Sequence, residues 1–130
     1  MKKKDLIILI HPANSLAPEG DQEYYPSPPL GLMILSSVLK MHGYFVTTLD
    51  LRMEALEGPH ILKLKEYLNK IEVPPQMVGI TTYTENFLDA IMVAKVVKEI
   101  FPSTKTVMGG HHVTFCYKEA LSYPFVDFVV

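Results

Sequence analysis

A single cysteine, Cys116, stands in 130 residues. No disulfide can close within the chain, and its own thiols cannot build an iron–sulfur centre, which takes about four cysteines. No apolar run approaches the roughly 20 residues needed to span a bilayer. The opening MKKKDLIILIHP imitates a signal peptide, but its apolar stretch is residues 6–10, short of the roughly 7 to 15 that a signal core requires. Excess charge is missing too: twelve basic against fourteen acidic side chains leave a net charge of -2, with no basic stripe to neutralise a phosphate backbone. Nucleic acid and membrane are therefore not expected partners, and a cytoplasmic location is expected.

What is present is a hydrophobic content of 48%, enough at this length for one buried core. Aliphatic and β-branched runs at 5–10, 44–50, 77–82, 105–108 and 126–130 read as buried strands. Helical spacing falls between them. Phe87, Ala90, Ile91, Ala94, Val97 and Phe101 share one face, with Thr84 or Asn86 to cap the start and Pro102 to stop the helix. Residues 59–71 turn Ile61, Leu64, Leu68 and Ile71 inward, before Pro74 and Pro75. The stretch 29–42 contains LGLMILSSVL, apolar almost all round, which predicts a helix covered on both sides and capped by Gly43. Alternating strands and helices with right-handed crossovers predict an α/β fold, a flavodoxin-like (Rossmann-like) five-stranded parallel sheet of order 2-1-3-4-5. No helix follows the fifth strand, so the chain reads as one domain over 1–130, an amino-terminal piece of a longer protein, with an uncovered sheet face that would favour self-association.

Ligands on such sheets settle beyond the carboxyl ends of the strands. After the first strand, residues 11–28 far exceed the usual 2 to 6 of such a connection. TTYTEN follows the third strand and GGHHVT the fourth. Gly109 and Gly110 let a ligand approach the backbone, or form a tight turn. Thr81 and Thr82 offer hydroxyls to a ligand, or reflect strand propensity; Thr84 reads as a helix cap. Tyr24 and Tyr25 would cover a flat ligand or pack the long loop down. His111 and His112, taken as neighbours in an extended loop, would point opposite ways. Without HExxH or a nearby cysteine to complete a ligand set, no metal ligand is assigned. His11 could approach them across the sheet edge. A phospho-acceptor receiver is excluded because Ile10–His11 and Thr82–Tyr83 stand where its acidic residues belong. GxGxxG, GxSxG and paired carboxylates are missing as well, so no catalytic residue is assigned.

PPLGLMILSSVLKMHGYFVTTLDL, VGITTYTENFLDAIMVAKVVKEIFPSTKTVMGGHHVTF and VDFVV together resemble the amino-terminal cobalamin-binding domain of cobalamin-dependent radical S-adenosylmethionine enzymes. The wider cobalamin fold carries DxHxxG before its first helix. Placing that glycine on Gly31 puts the cobalt-binding histidine position on Pro28, and proline ligates no metal. The resemblance thus implies cobalamin held base-off without a protein imidazole. The family's SxL pattern falls on Thr81 and Tyr83, and its double glycine on Gly109 and Gly110. These would line a narrow channel between the two loops for the nucleotide tail, with Leu30, Leu32 and Tyr24 under the corrin ring. The resemblance also implies a downstream radical barrel domain as partner, carrying S-adenosylmethionine, a 4Fe-4S cluster and methyltransferase-type chemistry. Two alternatives stay open: a scaffold domain that has lost the cofactor, and a nucleotide or flavin module using the threonine loop. A bulky Gly110→Leu change is expected to weaken retention more than a surface change such as Lys98→Ala.

Overall fold

A computed structural model describes residues 5–15, 27–54 and 59–130. Its elements are β1 (Leu6–His11), α1 (Leu30–Met41), β2 (Phe45–Asp50), α2 (Leu51–Glu54), α3 (His60–Asn69), β3 (Met77–Thr81), α4 (Phe87–Ile100), β4 (Lys105–Gly109), α5 (His111–Ser122) and β5 (Phe128–Val129). All strand pairs are parallel, in the order β2-β1-β3-β4-β5. The predicted topology is the observed one. None of the helices in the described residues is long and apolar enough to cross a membrane.

Alternation along the strands sorts their residues onto two unequal faces. One face presents Ile8, Ile10, Val78, Ile80 and Met108 to α3, α4 and α5, forming a closed core with Leu64, Leu68, Val93, Val97 and Val113. The anticipated inner face of α4 lies in this core, with Val93 and Val96 widening it. The opposite face holds a smaller cluster of Ile7, Leu9 and Leu32 under α1. Beyond it, Gly79, Thr81, Val107 and Gly109 stay half-exposed, and Phe128, paired with Val107, is 53% exposed.

Several local expectations need correction. Helix α1 is not covered on both sides: Leu32 and Ser36 are buried, whereas Leu30, Ile34, Val38 and Met41 are exposed among the described residues. Gly43 does end α1, at φ +90, its N–H donating to the Lys40 carbonyl. Helix α3 stops at Asn69, well before the proline pair. Neither Thr84 nor Asn86 caps α4 with its side chain. A short 3-10 turn over Thr84–Asn86 leads into the helix instead, closed by the buried Asn86 Oδ1 accepting from the Tyr83 N–H at 2.8 Å.

Lys98 is no free surface side chain. Its Nζ lies 2.6 Å from Asp127 and donates to the Thr104 carbonyl, tying α4 to the loop before β5. Burial pushes the Asp127 carboxyl up, but the Lys98 ammonium and the Thr106 N–H outweigh it and hold its pKa below the ordinary value. Lys95, exposed on the same helix, is the better control position.

Candidate functional site

The carboxyl edge of the sheet gathers most of the candidate residues, each placed by a strand end. By alternation His11, Thr81 and Gly109 end β1, β3 and β4 on the thinly covered face, with Thr81 and Gly109 paired in register. Thr81 is half-buried, and its hydroxyl makes no hydrogen bond to another described residue. It is a free donor and acceptor between two glycines, Gly79 on its own strand and Gly109 beside it.

The two adjacent glycines do different things. Gly110 has φ +112, and a Cβ there would stand 2.5 Å from the Thr82 carbonyl oxygen and 2.9 Å from its nitrogen. It is required for close approach of two backbones. The Thr82 N–H donates to the Gly109 carbonyl at 2.7 Å, the Thr82 hydroxyl donates to the same oxygen at 3.0 Å, and the His112 N–H reaches the Thr82 carbonyl at 3.4 Å. No gap therefore separates the β3 and β4 loops at Gly110, because the Thr82 backbone fills the space expected for a channel. Thr82 itself is fully buried and its hydroxyl is spent within the sheet edge, so it locks the loops together and is removed from the ligand-facing set. Gly109 faces the other way. Its nearest neighbour there would be a Val130 methyl at 3.1 Å, on a residue that is itself 81% exposed.

An aromatic row crosses the same edge. The His11 and Tyr83 rings are stacked with centroids 6.0 Å apart, and His111 meets Tyr83 edge-on at 5.3 Å. His11 is buried, with Nδ1 2.9 Å from the Pro12 carbonyl. Burial holds its imidazole below the ordinary pKa despite that hydrogen bond, which works the other way. His111 and His112 are not in an extended loop; they open α5. His112 turns inward on Phe87 at a centroid distance of 4.2 Å, and its Nδ1 lies 3.3 Å from the Thr84 hydroxyl. Thr84 is thus a neighbour of His112.

The amino-terminal end of α1 reaches this edge through Arg52, which the sequence reading overlooked. Its guanidinium binds both Asp50 carboxylate oxygens, at 2.9 and 2.7 Å, and donates to the Ser27 carbonyl at 2.8 Å. Burial raises the Asp50 pKa, but Arg52 overcomes it and the net shift is downward. The aspartate ending β2 and the arginine two residues on were the available signal. Pro28 and Leu30 follow this anchor, both exposed, and a Cβ built on Gly31 would meet nothing within 4 Å. Leu32 lies beneath, buried against Ile7 and Leu9. Tyr24 and Tyr25 lie outside the described residues.

Comparison with known proteins places this geometry. Among solved structures, a response regulator receiver protein from Sinorhizobium medicae superposes with a TM-score of 0.59 at 19% identity, covering 97% of this chain and 81% of its own. A pilus assembly protein from Caulobacter crescentus gives 0.52 at 14% identity, covering 95% and 79%. At such identities the likeness establishes the fold alone. In sequence, the chain is 38% identical over 104 residues to an uncharacterized methyltransferase of Pyrococcus horikoshii, covering 79% of this chain and 21% of that protein. It is 30% identical over 105 residues to an anaerobic magnesium-protoporphyrin IX monomethyl ester cyclase of Rubrivivax gelatinosus, covering 79% and 18%. The chain spans about a fifth of the length of these relatives. The model of the B12 binding domain matches residues 22–130, a span that contains the β3 and β4 loops and the Gly31 helix entry, and so this chain belongs to the B12-binding domain family.

Proposed function

We propose that this chain binds cobalamin base-off, with no protein imidazole beneath the cobalt, as the cofactor module of a radical S-adenosylmethionine enzyme of methyltransferase type. The observation that carries the reading is Thr81: a hydroxyl with no partner among the described residues, set between Gly79 and Gly109 on the open sheet face. Those residues fit a detached nucleotide tail laid on the sheet face, rather than threaded between the β3 and β4 loops, where Gly110 closes against Thr82. Thr81 would hydrogen-bond the tail, and Gly109 would leave it room beside the exposed Val130, whereas over Gly79 the Leu9 side chain fills the space a Cβ would take. Tyr83, His111, Leu30 and the open space over Gly31 would border the corrin ring, with His11 fixing the Tyr83 ring from behind. Pro28 stands where the wider fold places its histidine. Bound cobalamin would supply methyl-group carriage, and these residues would orient it.

S-adenosylmethionine, a 4Fe-4S cluster and the substrate belong in this reading to a downstream barrel domain that docks on the carboxyl edge. The half-open face of β4 and β5 would cause self-association where nothing else covers it. One observation favours the rival scaffold reading, the tight closure of Gly110 on Thr82, and one experiment separates the two. Purified protein is incubated with hydroxocobalamin and desalted, and the retained absorbance is measured. Near-stoichiometric retention is expected. Thr81→Val, which deletes one hydrogen bond of about 0.5–1.5 kcal/mol, should weaken it about 2- to 12-fold, while Lys95→Ala leaves it unchanged. Complete loss of colour from the unaltered protein at saturating cobalamin would remove the proposal and leave the scaffold.

A further inference from the structure

Helix α5 carries a second set of ligating side chains that the cobalamin reading does not use. His112, Cys116 and Glu119 follow one another at intervals of four and three residues, and α5 departs from helical dihedrals at Cys116, so their distances and not their spacing show that they converge. A histidine ring nitrogen, the Cys116 thiol and a Glu119 carboxylate oxygen lie within 4.8 Å of one another. Cys116 is therefore a near neighbour of a histidine, contrary to the expectation from sequence that no cysteine completes a ligand set.

The imidazole is held as a ligand requires. Its ring packs on Phe87, and Nδ1 lies 3.3 Å from the Thr84 hydroxyl; the tautomer that a metal ligand needs puts the proton on Nδ1, donated to that hydroxyl. In that tautomer Nε2 keeps its lone pair, and it is buried with no hydrogen-bond partner among the described residues. A buried acceptor left unpaired costs free energy that a bound cation would restore. A second hydrogen bond that fixes the tautomer is the usual companion of a metal-bound histidine. Charge also balances, since a neutral imidazole, a thiolate and a carboxylate together neutralise a divalent ion.

We propose that His112, Cys116 and Glu119 form a three-ligand site for a borderline divalent cation, zinc first. Nitrogen, sulfur and oxygen donors from one face suit zinc and disfavour magnesium or calcium. Zinc bonds of about 2.0–2.3 Å place tetrahedral ligand atoms roughly 3.3–3.7 Å apart, so atoms within 4.8 Å of one another need contract by at most roughly 1.5 Å, which the exposed Glu119 side chain can supply by changing rotamer. The fourth position is left to water. On binding, the Cys116 S–H bond breaks, its proton goes to solvent, and the sulfur's electron pair forms the bond to the ion. No oxidant or reductant is needed, and binding tightens as pH rises.

Cys116 is the chain's one cysteine, so its alkylation by iodoacetamide reports on this site alone. In cobalamin-free protein, zinc chloride is expected to slow alkylation at least about tenfold, and magnesium chloride to leave it unchanged. Glu119→Gln, at an exposed position, should raise the zinc concentration needed for half-protection about tenfold or more, and Thr84→Ala about tenfold through the freed imidazole. Cobalt(II) should give a thiolate charge-transfer band that Cys116→Ser abolishes. Protection by zinc no greater than by magnesium, or equal protection in Glu119→Gln, would overturn the site. Because no cobalamin is present, failure here is independent of the cofactor reading.

Discussion

The two faces of the sheet use the same strands to opposite ends. The face under α3, α4 and α5 is a closed aliphatic core in which Ile8, Val78 and Met108 are fully buried. The face under α1 carries glycine at Gly79 and Gly109, a threonine between them, and half-exposed side chains out to Phe128. Burial is concentrated on the first, and exposed strand surface on the second. The division follows from strand alternation: a residue shift of one along β3 exchanges Ile80, packed in the core, for Thr81, with its unspent hydroxyl.

The comparison can be broken most directly by matched truncations. Ile80→Ala should cost about 2–5 kcal/mol in urea unfolding, the range for emptying a core site, while Val107→Ala on the open face should cost about 1 kcal/mol or less. Equal costs would mean the second face is as tightly packed as the first.

The next largest contrast sets two glycines of the site apart. Gly110→Ala forces a side chain into φ +112 and onto the Thr82 backbone, and should destabilise by about 1–3 kcal/mol. The same steric conflict makes Gly110→Leu a test of folding more than of binding. Gly31→Ala lies in a helix with open space around it and should stabilise by about 0.5–1 kcal/mol. Thermal unfolding ranks the pair, and a neutral Gly110→Ala would remove the loop-locking role.

The smallest effect is the pH dependence, which sharpens how the edge is held. His11, Asp50 and Asp127 all have folded pKa values below their ordinary ones, so the unfolded chain binds more protons on acidification and stability falls. The His11 contribution is full above about pH 6.5 and declines as pH drops from there toward its folded pKa. The aspartate contributions are full above about pH 3.9 and are lost as pH falls through their folded values. Lys98→Ala should flatten the acid limb by releasing Asp127. Unfolding midpoints between pH 8 and 3 measure both, and a rise in stability toward acid would contradict the assignment.

Much of this was readable in advance for a physical reason. Aliphatic runs bounded by loops and a helix such as α4, with Ala90, Val93, Ala94 and Val97 inward, carry their periodicity in the sequence. Helix α5 did not announce itself: only Val113 and Ala120 on it are buried, and its path departs from helical dihedrals at Cys116, so the stripe is too thin to count. Thr81 and Thr82 look interchangeable in sequence. Alternation and hydrogen bonding give one an open hydroxyl and the other a structural one. Arg52 was missed because its bond to the Ser27 carbonyl, 25 residues back, is made by the fold, and the Asp50–Arg52 pair by itself gives no sign of it.

Hydrophobic periodicity and strand–helix alternation pointed to the parallel sheet, its order and the edge where the candidate residues gather, because burial must follow local repeat. The glycine pair, the threonine loop and the helix entry carried the family resemblance in the sequence, which the match of the B12 binding domain over residues 22–130 bears out. Only the tertiary structure decided that Gly110 seals two loops while Gly109 opens a face, and that His112, Cys116 and Glu119 converge. Those outcomes depend on which backbone atoms meet across strands and where a helix begins, distances that no single segment encodes.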